Sequence, residues 1–436
     1  MLNNKNIFLK KKILIYGLGK SGLSAFKYLK KNNELYLYDD KKVDNKSKEV
    51  KKKLIKYEGI KKKKIDYIII SPGININKCR LSKFLKKNFK KIFTDLDVFF
   101  SQNNKNKKIT ITGTNGKSTT AQILYEVLKK QKIDVRLVGN IGNPILLEKN
   151  LTNKTVFVIE ASSYQLDYSK IFRSNISVIL NITPDHLERH KTLKNYISAK
   201  FKLIKNQTKE NFAILNTNNI HIKEHLKTQN YLPKIIKVNK GIKSTVLKKI
   251  NNTYFDTEGN KENLSFIFEI GKIFKIKKEN LYYVLKNFRG LKYRQQVIFK
   301  SKNLTIINDS KATSFSSSAS ILKSLSNVYW IVGGLKKGGD KFLLSKKNCK
   351  NFKAYIFGKN ANLFVKELKK VINFESFTNL RFVMNKIFLD MQKNKKQAHK
   401  TILFSPAAAS FDSFKNFEER GKYFNNLIKE FKYVER

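Results

Sequence analysis

Lys108-ITITGTNGKSTTAQILYEV-Leu128 is the stretch on which the reading of this chain turns. Ile109 to Ile111 read as a β-strand, Gly113 and Gly116 punctuate a turn, and Lys117, Ser118 and Thr119 open a helix. Parts in that order make an anion trap. Glycines let backbone N–H groups converge on phosphate oxygens, the helix N-terminus adds partial positive charge, and Lys117 adds a full one. Ser118 then stands where a phosphate loop ligates Mg²⁺. The strict pattern has glycine where this chain has Ile111, so the loop is shorter than the usual one. It points to a nucleoside triphosphate, against the rival of a plain strand–turn–helix corner with an incidental Gly-Lys-Ser.

Composition sets the bounds. At 436 residues the chain is too long for one ordinary core, and about two to four domains are expected. A formal net charge of +57 would ordinarily suggest nucleic acid or an anionic membrane. Lysine is spread through nearly every segment, however, together with abundant Asn, Ile, Phe and Tyr. That is a chain-wide bias rather than a binding face, so neither partner is expected. Cys79 and Cys349 match no metal-ligand spacing and no disulfide framework, which suits a reducing compartment. No window approaches a membrane span and the first residues lack a long apolar run, so a cytoplasmic protein is expected.

Before the phosphate loop, residues 12–39 read as strand, turn, helix and strand, with the helix from Leu23 to Lys31. The turn contains G-x-G-x-x-G as Gly17, Gly19 and Gly22, and Asp39 lies near the distance of a ribose-binding acid. Alone, this fits an NAD-dependent oxidoreductase; it equally fits any nucleotide diphosphate carried on a helix N-terminus. A strand at residues 66–73 ends in Ser71-Pro72-Gly73, which ordinary turn chemistry also explains. A helix is expected from Lys78 to Lys90 and a polar linker from Ser101 to Lys108.

Beyond the loop, residues 155–162 and 176–183 are continuous β-branched and aromatic runs, as strands covered on both faces are. Glu160 closes the first, and Pro184-Asp185-His186 closes the second. Ligands gather at the carboxyl ends of parallel strands, so Glu160, Asp185 and His186 are expected to share a rim with Lys117 and to serve as Mg²⁺ ligands or their supports. Residues 192–205 have helical periodicity, with Lys200 on the apolar stripe; a snorkelling side chain is the plain alternative. Asn206 to Thr257 read as short strands and loops, Glu262 to Ile273 as a helix, and Arg289 to Gln296 as a second boundary. The remainder alternates strands and helices, implying another doubly wound parallel sheet.

Three α/β units with the phosphate loop in the middle one resemble the Mur ligase family of peptidoglycan synthesis. TGTNGKST (Thr112 to Thr119) is similar to the family's ATP loop, IEASSYQL (Ile159 to Leu166) to its metal-carboxylate strand, and TPDHLERH (Thr183 to His190) to its metal-histidine turn. YISAK, ending at Lys200, resembles the site of a carbamylated lysine. SPGI (Ser71 to Ile74), NDSKATS (Asn308 to Ser314) and SPAAASFDSFKNFEERG (Ser405 to Gly421) resemble the branch that adds D-glutamate to UDP-N-acetylmuramoyl-L-alanine. Two positions depart from the family pattern: Gly259 stands where His is usual in the run that includes Asn260 and Asn263, and Tyr293 stands where His usually precedes Arg294.

The resemblance implies an α/β fold in three domains: a Rossmann-like substrate domain (1–104), a central P-loop ATPase-like parallel sheet (105–290) and a Rossmann-like amino-acid domain (291–436). It implies an ATP-dependent ligase working through an acyl phosphate, as a monomer acting on small molecules. ATP would lie on Gly113, Thr114, Asn115, Gly116, Lys117, Ser118, Thr119, Asn263, Arg294, Asp309 and Lys311. The uridine nucleotide would lie on Lys20, Ser21, Asp39, Asp40, Ser71, Gly73, Asn140, Ser162 and His186. D-glutamate would meet Thr313, Lys337, Ser410 and Phe417, although Lys337 beside Lys336 reads equally as surface charge. Two Mg²⁺ would draw on Ser118, Glu160, His186 and carbamylated Lys200. The catalytic set implied is Lys117, Glu160, His186, Lys200 and Arg294.

Overall fold

The computed structural model describes residues 6–41, 43, 47–239, 241–349, 351–393 and 399–432. Three sheets follow one another along the chain. The first holds β1 (Lys12–Tyr16), β2 (Glu34–Tyr38), β3 (Tyr67–Ile70) and β4 (Ile92–Phe93), in the order β2-β1-β3-β4 and parallel throughout. Its first helix, Lys20–Leu29, begins three residues earlier than the periodicity suggests, because Gly19 takes an extended backbone and lets the helix start at once. The helix expected over 78–90 is instead Ser82–Lys87 followed by a 3₁₀ turn, Phe89–Lys91, because Lys78 and Cys79 are engaged in a turn on the Asn75 carbonyl. Within the expected linker, the helix Asp95–Gln102 runs on to its end before a short loop leads into the second sheet.

That second sheet comprises β5 (Lys107–Thr112), β6 (Val135–Gly139), β7 (Val156–Glu160), β8 (Ile176–Ile179), β9 (Phe212–Asn216) and β10 (Lys234–Val238). The order is β10-β9-β8-β5-β7-β6, again all parallel. The tract read as strands and loops after Asn206 also contains the helices Ile220–Thr228 and Ser244–Ile250. Each buries a single residue, Ile222 and Ile250 respectively, too little to mark a helical stripe.

The third sheet has β11 (Gln296–Lys300), β12 (Leu304–Asn308), β13 (Val328–Gly333), β14 (Lys353–Phe357), β15 (Asn373–Phe377) and β16 (Lys400–Phe404), ordered β11-β12-β16-β13-β14-β15. It is mixed rather than purely parallel: β11 pairs antiparallel with β12 as an edge hairpin. Strands β12, β16 and β13 are therefore neighbours, and the loops leaving them emerge side by side.

The chain divides into two compact units, 1–241 with 263–284, and 242–262 with 285–436. In the first, one apolar core runs from Ile13 and Phe26 through Leu96 and Phe99 to Phe157 and Ile159, so the first two sheets share an interior. Buried Asp97 fastens them. One carboxylate oxygen accepts from Ser169 Oγ (2.9 Å) and from the backbone N–H groups of Lys170 (2.9 Å), Ile171 (2.8 Å) and Phe172 (3.0 Å). The other accepts from Thr94 N and Oγ1, which also caps the helix Asp95–Gln102.

Candidate active site

The strand–turn–helix at the phosphate loop forms as its residue types require. Gly116 has φ +84°, a left-handed conformation, and hands directly into the helix Lys117–Lys130. A Cβ there would lie 2.4 Å from Asn263 Oδ1 and 2.8 Å from Nδ2, so the site also demands glycine for space. Asn263, assigned to the nucleotide by resemblance, is thus brought against the loop. Asn115 is held on both sides by Asn181, which accepts from its N–H (2.8 Å) and donates to its carbonyl (3.2 Å). Lys117 Nζ curls back to the carbonyls of Gly113 (2.9 Å) and Thr114 (2.7 Å), where a phosphate would compete for it.

Strands β8, β5 and β7 are adjacent, and their carboxyl ends assemble the rim anticipated from the sequence. Glu160 is 1 % exposed, with one oxygen accepting from Ser118 Oγ and the other from Asn140 Nδ2 at 2.8 Å. Among the described residues no group of three or more His, Cys, Asp or Glu side chains is placed to hold a metal by itself. Ser118 hydroxyl beside the Glu160 carboxylate is nonetheless the hard oxygen pair that a phosphate-bound Mg²⁺ takes. Ser162 caps the helix Ser163–Tyr168 in a capping box with Gln165.

Lys200 does not snorkel. It is 1 % exposed on the helix Leu193–Lys205, and its Nζ donates to Gly113 O at 2.8 Å, near Thr112 Oγ1 at 3.4 Å. Burial, with Lys117 nearby, holds its pKa well below the usual lysine range, against the opposing pull of Asp185 and Glu160. That direction favours the unprotonated amine, the form able to take up CO₂. His186 sits at φ +56°, its Nδ1 2.8 Å from Tyr164 Oη and its Nε2 3.5 Å from Asp185 Oδ2. Tyr196 links the groups: its hydroxyl meets Thr114 Oγ1 at 3.1 Å, Lys200 Nζ lies over its ring, and the His186 ring packs beside it.

In the first sheet the glycine fingerprint closes on itself. A Cβ on Gly22 would lie 1.8 Å from Gly17 O, and Ser71 Oγ donates to that same carbonyl at 2.6 Å. Asp39 accepts from the N–H groups of Leu18 (2.6 Å) and Lys41 (2.9 Å), bracing the loop, while Asp40 accepts from Tyr16 Oη at 2.7 Å. Lys20 is exposed at the helix start, and Gly73 has open space where a Cβ would point. Ser21 bonds buried Asp95, whose pKa burial raises.

The second unit gathers its own candidates at the carboxyl ends of β12, β16 and β13. Asp309 accepts from Ser405 Oγ (2.9 Å) and Gln295 N (3.1 Å), and burial pushes its pKa up to about 7. Lys311 Nζ lies 3.9 Å from the Phe417 ring centroid. Ser410 is buried, and Thr313, Lys337 and Arg294 are half-buried. The two departures have steric consequences. A Cβ at Gly259 would come 2.8 Å from Ser320 Oγ, and the Tyr293 ring covers Gly421, whose Cβ would be 2.4 Å from it. Sequence reasoning gave no role to Tyr164, Tyr196, Asn181 or Asp97. Tyr164 stands inside IEASSYQL and Tyr196 opens YISAK, whereas Asn181 and Asp97 lie in ordinary strand-end and helix runs.

A phosphate loop at a central strand, a buried carboxylate and lysine at its rim, and flanking α/β sheets define a nucleotide-dependent enzyme of modular α/β build. Residues 111–283 match the Mur ligase middle domain and residues 11–92 the Mur ligase MurD-like N-terminal domain. The UDP-N-acetylmuramoylalanine–D-glutamate ligase of Rickettsia felis is 33 % identical, covering 97 % of this chain and 98 % of that one. Its counterpart from Caldicellulosiruptor bescii is 32 % identical over 96 % and 98 %. The chain belongs to the Mur ligase family. Solved structures agree on the fold: a UDP-N-acetylmuramate-alanine ligase, MurC, from Thermotoga maritima superposes with a TM-score of 0.56 at 16 % identity, over 96 % of this chain and 99 % of that one. A MurF ligase from the same organism, in complex with ADP, gives 0.55 at 13 % over 99 % and 97 %.

Proposed function

We propose that this chain joins D-glutamate to UDP-N-acetylmuramoyl-L-alanine at the expense of ATP, in the synthesis of peptidoglycan precursors. The observation that carries the reading is the rim at β8, β5 and β7, where Lys117, Ser118, Glu160 and Lys200 converge on one glycine turn. The full-length likeness to the D-glutamate ligases supports the choice of amino acid.

A carboxylate at neutral pH is a poor electrophile. An oxygen of the L-alanyl carboxylate therefore attacks the γ-phosphorus of ATP, ADP leaves, and an acyl phosphate forms. The D-glutamate amine then adds to the acyl carbon, and the tetrahedral intermediate expels phosphate as the amine loses its proton. Phosphoryl transfer is mainly positioning and charge neutralisation. Lys117, turned from its two carbonyls, holds the β/γ-phosphates. Arg294 and Lys311 stabilise the transferring group, and Asp309 meets the ribose. Thr313, Lys337, Ser410 and Phe417 hold D-glutamate, while Lys20, Ser21, Asp39, Asp40, Ser71, Gly73, Asn140 and Ser162 serve the uridine nucleotide.

Magnesium, when bound, would neutralise phosphate charge; Ser118 and Glu160 would hold one ion, and Glu160, His186 and a carbamate on Lys200 a second. Burial that disfavours the charged form of Lys200 suits it to that modification: the free amine nitrogen bonds to CO₂ and a proton is released. Carbon-13 NMR in labelled bicarbonate tests it, with no carbamate resonance in wild type refuting it. No described helix is long and apolar enough to cross a membrane; a cytoplasmic monomer fits the substrates.

Phosphate release with the sugar-nucleotide acid and each of D-glutamate, L-alanine, glycine and L-lysine tests the whole reading. Release dependent on D-glutamate is expected; equal release with another amino acid, or none, overturns it.

A further inference from the structure

The motif at 405–421 contains a cation that the reaction above does not use. Arg420 lies in the first turn of the helix Phe417–Lys432, yet its side chain is only 1 % exposed. Its Nε donates to Ser310 Oγ (3.1 Å), and its Nη2 donates to the carbonyls of Ser310 (2.7 Å) and Ala408 (2.9 Å). Ser310 Oγ in turn donates to Phe417 O at 2.9 Å, tying the helix start to the same point. One planar group thus bridges the loop leaving β12, which carries Asp309, Lys311 and Thr313, and the loop leaving β16, which carries Ser410. The loop leaving β13 joins them: Leu335 and Ala409 exchange backbone hydrogen bonds at 3.0 Å, and a Cβ on Gly334 would lie 3.3 Å from Arg420 Nη1.

Burial lowers the Arg420 pKa to about 10, with Asp412 and Asp309 opposing, so the group stays charged at neutral pH. Its Nη1 and Asp412 Oδ2 are both buried without a hydrogen-bond partner. A buried charge with an unmatched N–H is a costly way to fill space, and apolar residues of similar volume often serve stability as well. What the guanidinium offers instead is a rigid fork whose donors fix two loops at a set separation.

We infer that Arg420 is a positioning residue for the amino-acid half of the reaction, setting the distance between the Asp309–Thr313 loop and Ser410 so that both can grip the incoming amino acid. The inference rests on the function proposed above. The hub holds Ser310 and Ala408, on the two loops assigned to the amino acid, whereas the residues assigned to the uridine nucleotide belong to the first unit, so the sugar-nucleotide KM serves as the internal reference.

The test uses the full-length enzyme with Arg420→Lys, which keeps the charge but not the fork, and Arg420→Ala with added methylguanidinium or methylammonium. Arg420→Lys should raise the KM for D-glutamate about tenfold or more, leave the sugar-nucleotide KM within about twofold, and lower kcat. Methylguanidinium should restore part of the D-glutamate affinity to Arg420→Ala, and methylammonium should not. Should both variants fail to fold, Ser310→Ala, which removes the Nε contact and the bond to Phe417 O but keeps both Nη2 contacts, should shift the D-glutamate KM in the same direction by a smaller factor. An unchanged D-glutamate KM in a folded variant, or an equal rise for all three substrates, overturns the inference. Wild-type turnover is measured first: if another amino acid proves to be the acceptor, the function reading fails separately, and the KM for that amino acid becomes the quantity that decides the role of Arg420.

Discussion

Replacing Gly116 by alanine should damage the phosphate loop in a way that a second substitution can partly repair. Alanine at φ +84° pays for a left-handed backbone, about 1–2 kcal/mol. Its Cβ would also stand 2.4, 2.8 and 2.9 Å from the Oδ1, Nδ2 and Cγ of Asn263. Asn263 is buried at the start of the segment that returns to the first unit and cannot simply swing into solvent. Overpacking of that kind costs about 1–3 kcal/mol, so Gly116→Ala alone should lose roughly 2–5 kcal/mol in all. Trimming the neighbour with Asn263→Ala removes the collision but not the backbone strain. The double variant should therefore be less unstable than the two single losses added together, by about 1–3 kcal/mol. Urea unfolding of wild type, both single variants and the double variant measures that difference, and titration with an ATP analogue reads the same cycle in the site. Strict additivity within about 0.5 kcal/mol would refute the claim that Asn263 closes on the loop.

Asp97→Ala should strip acceptors from three backbone N–H groups and a serine hydroxyl at once. With loss of about 3–5 kcal/mol, the melting temperature should fall by roughly 6–10 °C in calorimetry; a shift under about 1 °C would show that the carboxylate does not fasten the two sheets. Asp309, with its folded pKa raised to about 7, binds its proton more tightly in the folded state than in the unfolded one. Its contribution to stability therefore declines as pH rises from about 4 to 7, by about 2–4 kcal/mol. Asp309→Asn should remove that slope, so the urea midpoint of the variant relative to wild type should climb between pH 5 and 7.5; a pH-independent difference would contradict the raised value. Lys117→Ala should cut ATP consumption by about a hundredfold or more while leaving the fold intact by circular dichroism, and retained turnover would remove the phosphate loop from the mechanism.

Local order was legible in the residues themselves. Gly113, Gly116 and Lys117 announce a turn because only glycine tolerates that backbone and only a cation complements a phosphate. The β-branched runs ending at Glu160 and near His186 announce buried parallel strands, since such strands shed polar alternation. Those signals are short-range, and they placed the phosphate loop, the strand ends and the helix that carries Lys200. The edge hairpin β11 and the sparse helices after Asn216 were invisible because an element that buries one residue or none leaves no period to detect. Tertiary structure alone decided three further things: that Lys200 is buried against Gly113 rather than reaching water, that Asp39 and Ser71 brace the first glycine loop, and that Asp97 and Arg420 each join segments distant in the chain. Desolvation and hydrogen-bond partners depend on which strands become neighbours, and no residue carries that information by its type.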